Sequence, residues 1–246
     1  GHEARMAYTI DTETYPKAQT YPARHGYQLR GTSPTALVIH TTNNRNRGTA
    51  FSGEARYLYE SADVSTHFLI GKTGQIVRFL HPKTYQAWHV GVALAAFTNA
   101  RSIGIELHVS VGEQPTQIQK DTAAWLCRQL MAEYQIPVYM VETHRAVARP
   151  VGRKSDPEGW PNPDFYAWRA TLGAPQIKAF TFPGLRVYRS SMLMGEVVLH
   201  LPDGAHLEIA VIGGTGYAAF AGHVKRVVYG TTVLIEPGFV DTRLLI

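Results

Sequence analysis

The chain has 246 residues, 45% of them hydrophobic and 17% charged, which excludes a disordered or fibrous protein and fits one large domain or a medium domain with a small appendage. A formal charge of +5 and a pI of about 9.3 favour a polyanionic partner: nucleic acid, a membrane surface or an acidic polymer. The single cysteine, Cys127, excludes both an intramolecular disulfide framework and a cysteine-rich zinc cluster, so any metal site must use histidine and carboxylate.

The first thirty or so residues are turn-rich, with Tyr15-Pro16, Tyr21-Pro22 and His25-Gly26, and read as an arm over 1–32 with little regular structure. From Thr35 the pattern becomes strand, loop, helix, strand. Residues 36–40 form a short apolar strand and 52–60 a helix. Residues 67–70 and 75–80 flank Gly71-Lys72-Thr73-Gly74, a hairpin signal. Another apolar strand covers 102–109. A helix follows from Thr116, since Ala123, Trp125, Leu126, Leu130 and Met131 recur at helical period, and Pro137 ends it. Residues 138–141 would return as a strand towards His144, and 164–172 read as a short final helix. Cys127 lies within the helical period and reads as a small buried hydrophobe rather than a nucleophile. Near Gly173-Ala174-Pro175 the texture changes. Short apolar runs then alternate with turns at Pro183-Gly184, Pro202-Asp203-Gly204, Gly213-Gly214 and Pro237-Gly238, which predicts a small barrel of short strands beyond a linker at 174–183. No run approaches a membrane span, and none is expected to insert in one.

Two neighbourhoods carry chemistry. His40 stands at the end of the run Ala36-Leu37-Val38-Ile39, and His144 precedes Gly152-Arg153-Lys154-Ser155-Asp156-Pro157; together they read as a three-ligand zinc site. Imidazole nitrogens and a carboxylate oxygen suit zinc, and three protein ligands leave a coordination position for water. A histidine at a strand end is ordinarily a hydrogen-bonded structural residue. What shifts the reading is an ordered set of segments. Val38-Ile39-His40-Thr41-Thr42, Ser65-Thr66-His67-Phe68-Leu69-Ile70, Gln86-Ala87-Trp88-His89-Val90-Gly91, Ser102-Ile103-Gly104-Ile105-Glu106-Leu107 and Gly152-Arg153-Lys154-Ser155-Asp156-Pro157 follow one another. Over roughly residues 30–172 the chain resembles the type 2 N-acetylmuramoyl-L-alanine amidases, the zinc hydrolases related to phage lysozyme-amidases and peptidoglycan recognition proteins.

The resemblance implies an α/β domain over 33–173, with a mixed central sheet flanked by helices. It implies one catalytic zinc ion held by His40, His144 and Asp156, with Glu106 as the acid and base and Lys154 as a positive charge beside the developing oxyanion. His67 and His89 match positions lining the groove, where substrate contact and a supporting role stand as alternatives. Asn99 is a candidate for hydrogen bonding the substrate peptide, against the commoner role of satisfying a turn. Thr66 stands where some phage members carry a tyrosine, so a tyrosine-assisted variant is excluded. The interval between His144 and Asp156 is longer than in close relatives, through Ala148-Arg149-Pro150-Val151, which predicts a looped-out insertion. His25, His81 and His108 read as surface or structural residues. Residues 184–246 resemble a bacterial SH3-like domain through Gly184-Leu185-Arg186-Val187, Leu201-Pro202-Asp203-Gly204 and Gly238-Phe239-Val240-Asp241-Thr242, which implies wall binding.

The expected function is zinc-dependent hydrolysis of the amide between N-acetylmuramic acid and L-alanine, by an endolysin or secreted wall hydrolase. The expected partners are bacterial peptidoglycan and anionic wall polymers. The rival is a peptidoglycan-binding module without catalysis. A nucleic-acid binder has only the basic pI in its favour, since no aromatic-interleaved basic cluster is present. Gly1-His2-Glu3-Ala4-Arg5-Met6 lacks the apolar run of a secretory signal, so a wall-directed protein would have lost its signal or left its cell by another route such as phage lysis.

Overall fold

The computed structural model describes residues 8–45, 50–173, 176–180, 185–189, 193–202, 205–211 and 221–244. The chain divides into two compact units, Gly1–Leu172 and Gly173–Ile246. The first contains strands β1 (Ile10–Asp11), β2 (Tyr27–Leu29), β3 (Ala36–Thr41), β4 (Phe68–Ile70), β5 (Ile76–Arg78), β6 (Tyr85–Ala87), β7 (Ser102–Leu107) and β8 (Val141–Thr143). Its helices are α1 (Lys17–Thr20), α2 (Phe51–Glu60), α3 (Gln117–Tyr134), α4 (His144–Val147) and α5 (Asn162–Leu172).

Six strands form one mixed sheet in the order β1-β5-β4-β7-β3-β8. The pairs β4–β7, β7–β3 and β3–β8 are parallel, whereas β5 runs antiparallel to β4 across the expected hairpin. Central parallel strands are covered on both faces and so read as unbroken apolar runs, as Ala36 to Ile39 does. Period-2 alternation then divides the faces. Leu37 and Ile39 of β3, with Ile103, Ile105 and Leu107 of β7, join the core that also holds Ala123, Leu126 and Leu130 of α3 and Phe165 of α5. Residues 38 and 40 of β3 and 102, 104 and 106 of β7 therefore project from the opposite face. His40 and Glu106 are register partners on that face.

Helix α3 starts where expected. Thr116 Oγ1 accepts from Gln119 N at 3.1 Å while Gln119 Oε1 accepts from Thr116 N at 3.0 Å, a reciprocal cap that satisfies two otherwise orphaned donors. The helix ends at Gln135 in the left-handed region, before Pro137. The expected strand at 138–141 is a correction: Val138–Met140 forms a single 3-10 turn closed by Met140 N donating to Pro137 O, and β8 begins only at Val141.

The N-terminal segment also departs from expectation. β1 extends the main sheet alongside β5, and β2 pairs with β6. Lys17 is fully buried, and its Nζ donates to the carbonyls of Leu58, Ser61 and Val64 at 2.8–3.1 Å. A buried ammonium with three acceptors closes the C-terminal end of α2, where unpaired carbonyls carry partial negative charge. The segment is thus built into the unit rather than laid on it.

The second unit is an antiparallel sheet of β9 (Gln176–Phe180), β10 (Leu185–Tyr188), β11 (Val197–Leu201), β12 (His206–Val211), β13 (Ala221–Tyr229) and β14 (Thr232–Asp241), in the order β11-β10-β14-β13-β12-β9. Leu185, Val187, Leu207, Ile209, Val224 and Val240 are among its buried core. Two expectations are corrected. Residues 176–180, assigned to a linker, form a strand that pairs with β12 from Phe180↔His206 to Gln176↔Ala210. Pro237-Gly238, expected as a turn, lies inside β14 where the register with β13 shifts, and a Cβ at Gly238 would sit 2.3 Å from Tyr188 O. Glycine there permits the close approach of β10, and proline is tolerated at the irregularity because it has no ladder proton to donate. The turns expected at 183–184, 203–204 and 213–214 lie outside the described residues.

Candidate active site

Strand pairing brings the two histidines together. β8 lies parallel to β3 with Thr143 beside Ile39, so His144, the next residue, arrives beside His40. Thr143 Oγ1 caps α4 by accepting from Ala146 N, which fixes His144 in its first turn. The two rings lie 4.5 Å apart between centroids. Both point Nδ1 at Asp156, at 2.9 Å for His40 and 3.0 Å for His144. One ligand atom from each of the three residues falls within 4.8 Å of the others.

Asp156 sits on the loop between α4 and α5, and Arg145 anchors that loop. Its backbone N donates to Asp156 O at 2.8 Å, and its guanidinium donates to Ser155 O, Pro157 O, Trp160 O and Asn162 Oδ1. The residue after one candidate ligand therefore holds the other in place. Nothing in the sequence pattern marked Arg145, because all but one of the oxygens it donates to belong to the main chain.

The donor set fits a cation. His144 Nε2 meets Val90 O at 3.1 Å, and a carbonyl can only accept, so Nε2 carries a proton and Nδ1 is the atom turned to Asp156. Each Nδ1 meets the ionised carboxylate favourably only through a positive centre, which is a proton or a bound cation. Burial would push the Asp156 carboxyl up, but the adjoining His144 and His40 outweigh it and hold the group well below the ordinary carboxylate range. Burial lowers the His40 imidazole by more than the Asp156 carboxylate raises it. At neutral pH these directions give a neutral imidazole facing an anion, the protonation states in which both bind zinc.

Glu106 lies on the neighbouring strand with Oε1 4.0 Å from His40 Nδ1. A groove of about 420 Å³ opens over these groups. Lys154 and Ser155 line it beside Asp156, and Glu54, Tyr57 and Trp88 line it further along. Lys154 is exposed, so its ammonium stays hydrated beside the centre. Tyr57 and Trp88 were not singled out in the sequence; Trp88 lies within one of the matched segments, whereas Tyr57 gave only its place on a helix.

The remaining sequence candidates are held by hydrogen bonds within the unit. His67 is fully buried, and both ring nitrogens are engaged: Nδ1 accepts from Gly104 N at 3.0 Å and Nε2 donates to Tyr85 O at 2.8 Å. It tethers β6 to β7 and does not reach the groove. His89 does line the groove, but its ring nitrogens meet His40 Nε2 at 2.9 Å and Ser102 Oγ at 3.0 Å. Asn99 Oδ1 accepts from His89 N and Val90 N, both at 3.0 Å, and so holds the His89 segment. Thr66 is buried against Phe68 O. Gly104 is required for this packing, since a Cβ there would lie 2.8 Å from the His89 ring.

Burial, followed by the neighbouring Arg30 guanidinium, pulls the His67 pKa down to about 3. The unfolded chain therefore binds a proton at this site between about pH 3 and the ordinary histidine value of about 6.5, while the folded chain does not. Stability should fall as pH drops through that window. Thermal melts at pH 7 and pH 5 should show a smaller loss in His67→Gln than in the parent; equal losses would mean that His67 does not contribute.

Residues 30–159 match the family model described as N-acetylmuramoyl-L-alanine amidase, Amidase_2. The chain belongs to this family. Two Bacillus subtilis (strain 168) amidases align over 124 residues, half of this chain: XlyA at 32% identity and CwlH at 28%. The aligned part spans 39% and 47% of those relatives' own lengths. Among solved structures, the catalytic domain of XlyA superposes with a TM-score of 0.53 at 24% identity, over 67% of this chain and 99% of that one. A mutant endolysin from Bacillus subtilis gives 0.54 at 23%, over 68% and 100%. At these identities the likeness concerns the fold, and the mixed α/β unit is of the amidase type.

Proposed function

We propose that the chain is a zinc-dependent amidase that hydrolyses the bond between the lactyl group of N-acetylmuramic acid and L-alanine in peptidoglycan. The observation that carries this reading is the convergence of the His40 and His144 Nδ1 atoms on the Asp156 carboxylate at the floor of an open groove. Zinc bound by these three would lower the pKa of a water molecule and polarise the scissile carbonyl. Glu106 takes the proton from the attacking water and returns it to the leaving amine, a task suited to a carboxylate beside the centre. Lys154 offers positive charge to the carbonyl oxygen as it becomes anionic, which favours the transition state over the substrate. The rival, a peptidoglycan-binding module without catalysis, is disfavoured because the full set His40, His144, Asp156, Glu106 and Lys154 lines one groove.

Mass spectrometry of digested peptidoglycan tests the bond. Cleavage should release stem peptides with a free L-alanine amino group and leave glycan strands uncut; new reducing ends without new amino termini would indicate a glycosidase instead. The setting we infer is extracellular or wall-directed, as for an endolysin or a secreted wall hydrolase.

The second unit we infer to be an SH3-like wall-binding domain, supported by its all-antiparallel sheet. Anionic wall polymers suit the basic chain as additional ligands. A chain ending at Leu172 should cleave small soluble muropeptides at an unchanged rate and act less on intact walls, because losing a tether lowers local concentration without touching the chemistry. Unchanged binding and lysis of walls would assign the unit another role.

A further inference from the structure

The dipeptide His89-Val90 touches both candidate histidine ligands on the side away from Asp156. The His89 ring meets His40 Nε2, and the Val90 carbonyl meets His144 Nε2. Val90 O fixes His144 as argued above. The His40 tautomer follows from a longer chain of hydrogen bonds. Ser102 Oγ lies 2.8 Å from Thr98 O and 3.2 Å from Phe97 O, and since carbonyls only accept, the single hydroxyl proton points to them. The Ser102 oxygen is then left to accept, so His89 Nε2 carries a proton. His89 Nδ1 is consequently a lone pair, and it accepts from His40 Nε2–H. The last lone pair in the chain, His40 Nδ1, faces Asp156.

We infer that Ser102, His89 and Asn99 form a positioning relay that fixes the Nε2–H tautomer of His40, while the Val90 carbonyl does the same for His144. This rests on the zinc reading above for its purpose, though its geometry does not depend on it. A ligating imidazole ordinarily gives its second N–H to a carboxylate, carbonyl or water, and such partners set ring orientation and basicity. Here a second imidazole takes that place, and because imidazole both donates and accepts it transmits orientation only if its own far nitrogen is pinned. Ser102 pins it. Asn99 fixes the main chain of both His89 and Val90, so one side chain governs the support of both candidate ligands. Arg30 holds the loop itself by donating to Ala100 O and Ser102 O. None of these residues touches the reacting atoms.

Long-range ¹H–¹⁵N correlation spectra of the imidazoles in the full, metal-free chain report which ring nitrogen is protonated. Zinc affinity is read separately by competition with a chromophoric chelator. The parent should show Nε2–H on His40, His89 and His144. Ser102→Ala should mix the tautomers at His89 and His40 and weaken zinc binding by about 10–100-fold, the range for losing a partner of a ligand. A folded Ser102→Ala with unchanged tautomers and zinc affinity overturns the relay. If that variant does not fold, Asn99 decides: Asn99→Asp keeps an acceptor oxygen and should hold zinc like the parent, whereas Asn99→Ala should bind less tightly, and equal affinities for the two overturn it. Should the parent bind no zinc, the zinc reading fails by itself; Nε2–H on both His40 and His144 would still support the relay, and a His40 without a proton on Nε2 would overturn it.

Discussion

His40→Ala and His144→Ala should each purify as folded protein without stoichiometric zinc and with turnover reduced by roughly a thousandfold or more. The magnitude follows from the several kcal/mol that Lewis-acid polarisation and water activation supply, at about 1.36 kcal/mol per tenfold in rate. The fold is expected to survive because His40 projects from the sheet face opposite the core formed with α3 and α5, and the His144 ring packs beside it. Removing either leaves Asp156 one imidazole and at most a two-ligand site, too few for the three protein ligands of a catalytic zinc centre. Elemental analysis of the two variants decides the matter: undiminished zinc in both would sink the ligand assignment, whatever happened to activity. Chelation of the parent should reproduce the loss, and added zinc should restore it in the parent alone.

The parts of this site visible in the sequence are those whose meaning is local or carried by strand period. The run Ala36 to His40 declared a buried strand ending in a polar group. Ser102, Gly104 and Glu106 alternate with Ile103, Ile105 and Leu107, which is enough to set Glu106 on one face. Thr116 marked the start of α3, ahead of the helical period of Ala123, Trp125, Leu126, Leu130 and Met131. What stayed hidden is non-local. His67 and His89 look alike in the sequence, and only the donors around each ring distinguish a buried tether from a groove-lining relay. Arg145 works mainly through main-chain carbonyl oxygens, which have no residue identity. β1 is two residues long and becomes a strand only because Ile76 and Val77 present an edge to it. β9 lay between Pro175 and Pro183 and read as punctuation, although pairing with β12 satisfies its backbone.

Glu106→Gln should keep zinc and fold while losing turnover by about a hundredfold or more, the lower part of the range for general acid–base catalysis. The substitution keeps the shape of the side chain and removes its capacity to take a proton. Since Glu106 Oε1 stands 4.0 Å from His40 Nδ1, outside hydrogen-bond range, the metal site does not depend on it. Lys154→Ala should act on the same step from the other side, removing the exposed ammonium that lines the groove next to Asp156. Its loss withdraws stabilisation that grows with charge on the carbonyl oxygen, so the fall should appear in kcat more than in KM. The two variants then separate chemistry from metal binding, because both should retain the parent's zinc content where His40→Ala and His144→Ala do not. Near-normal turnover in Glu106→Gln would mean that another group moves the proton. A rise in KM with kcat unchanged in Lys154→Ala would make the lysine a substrate contact rather than a stabiliser of developing charge.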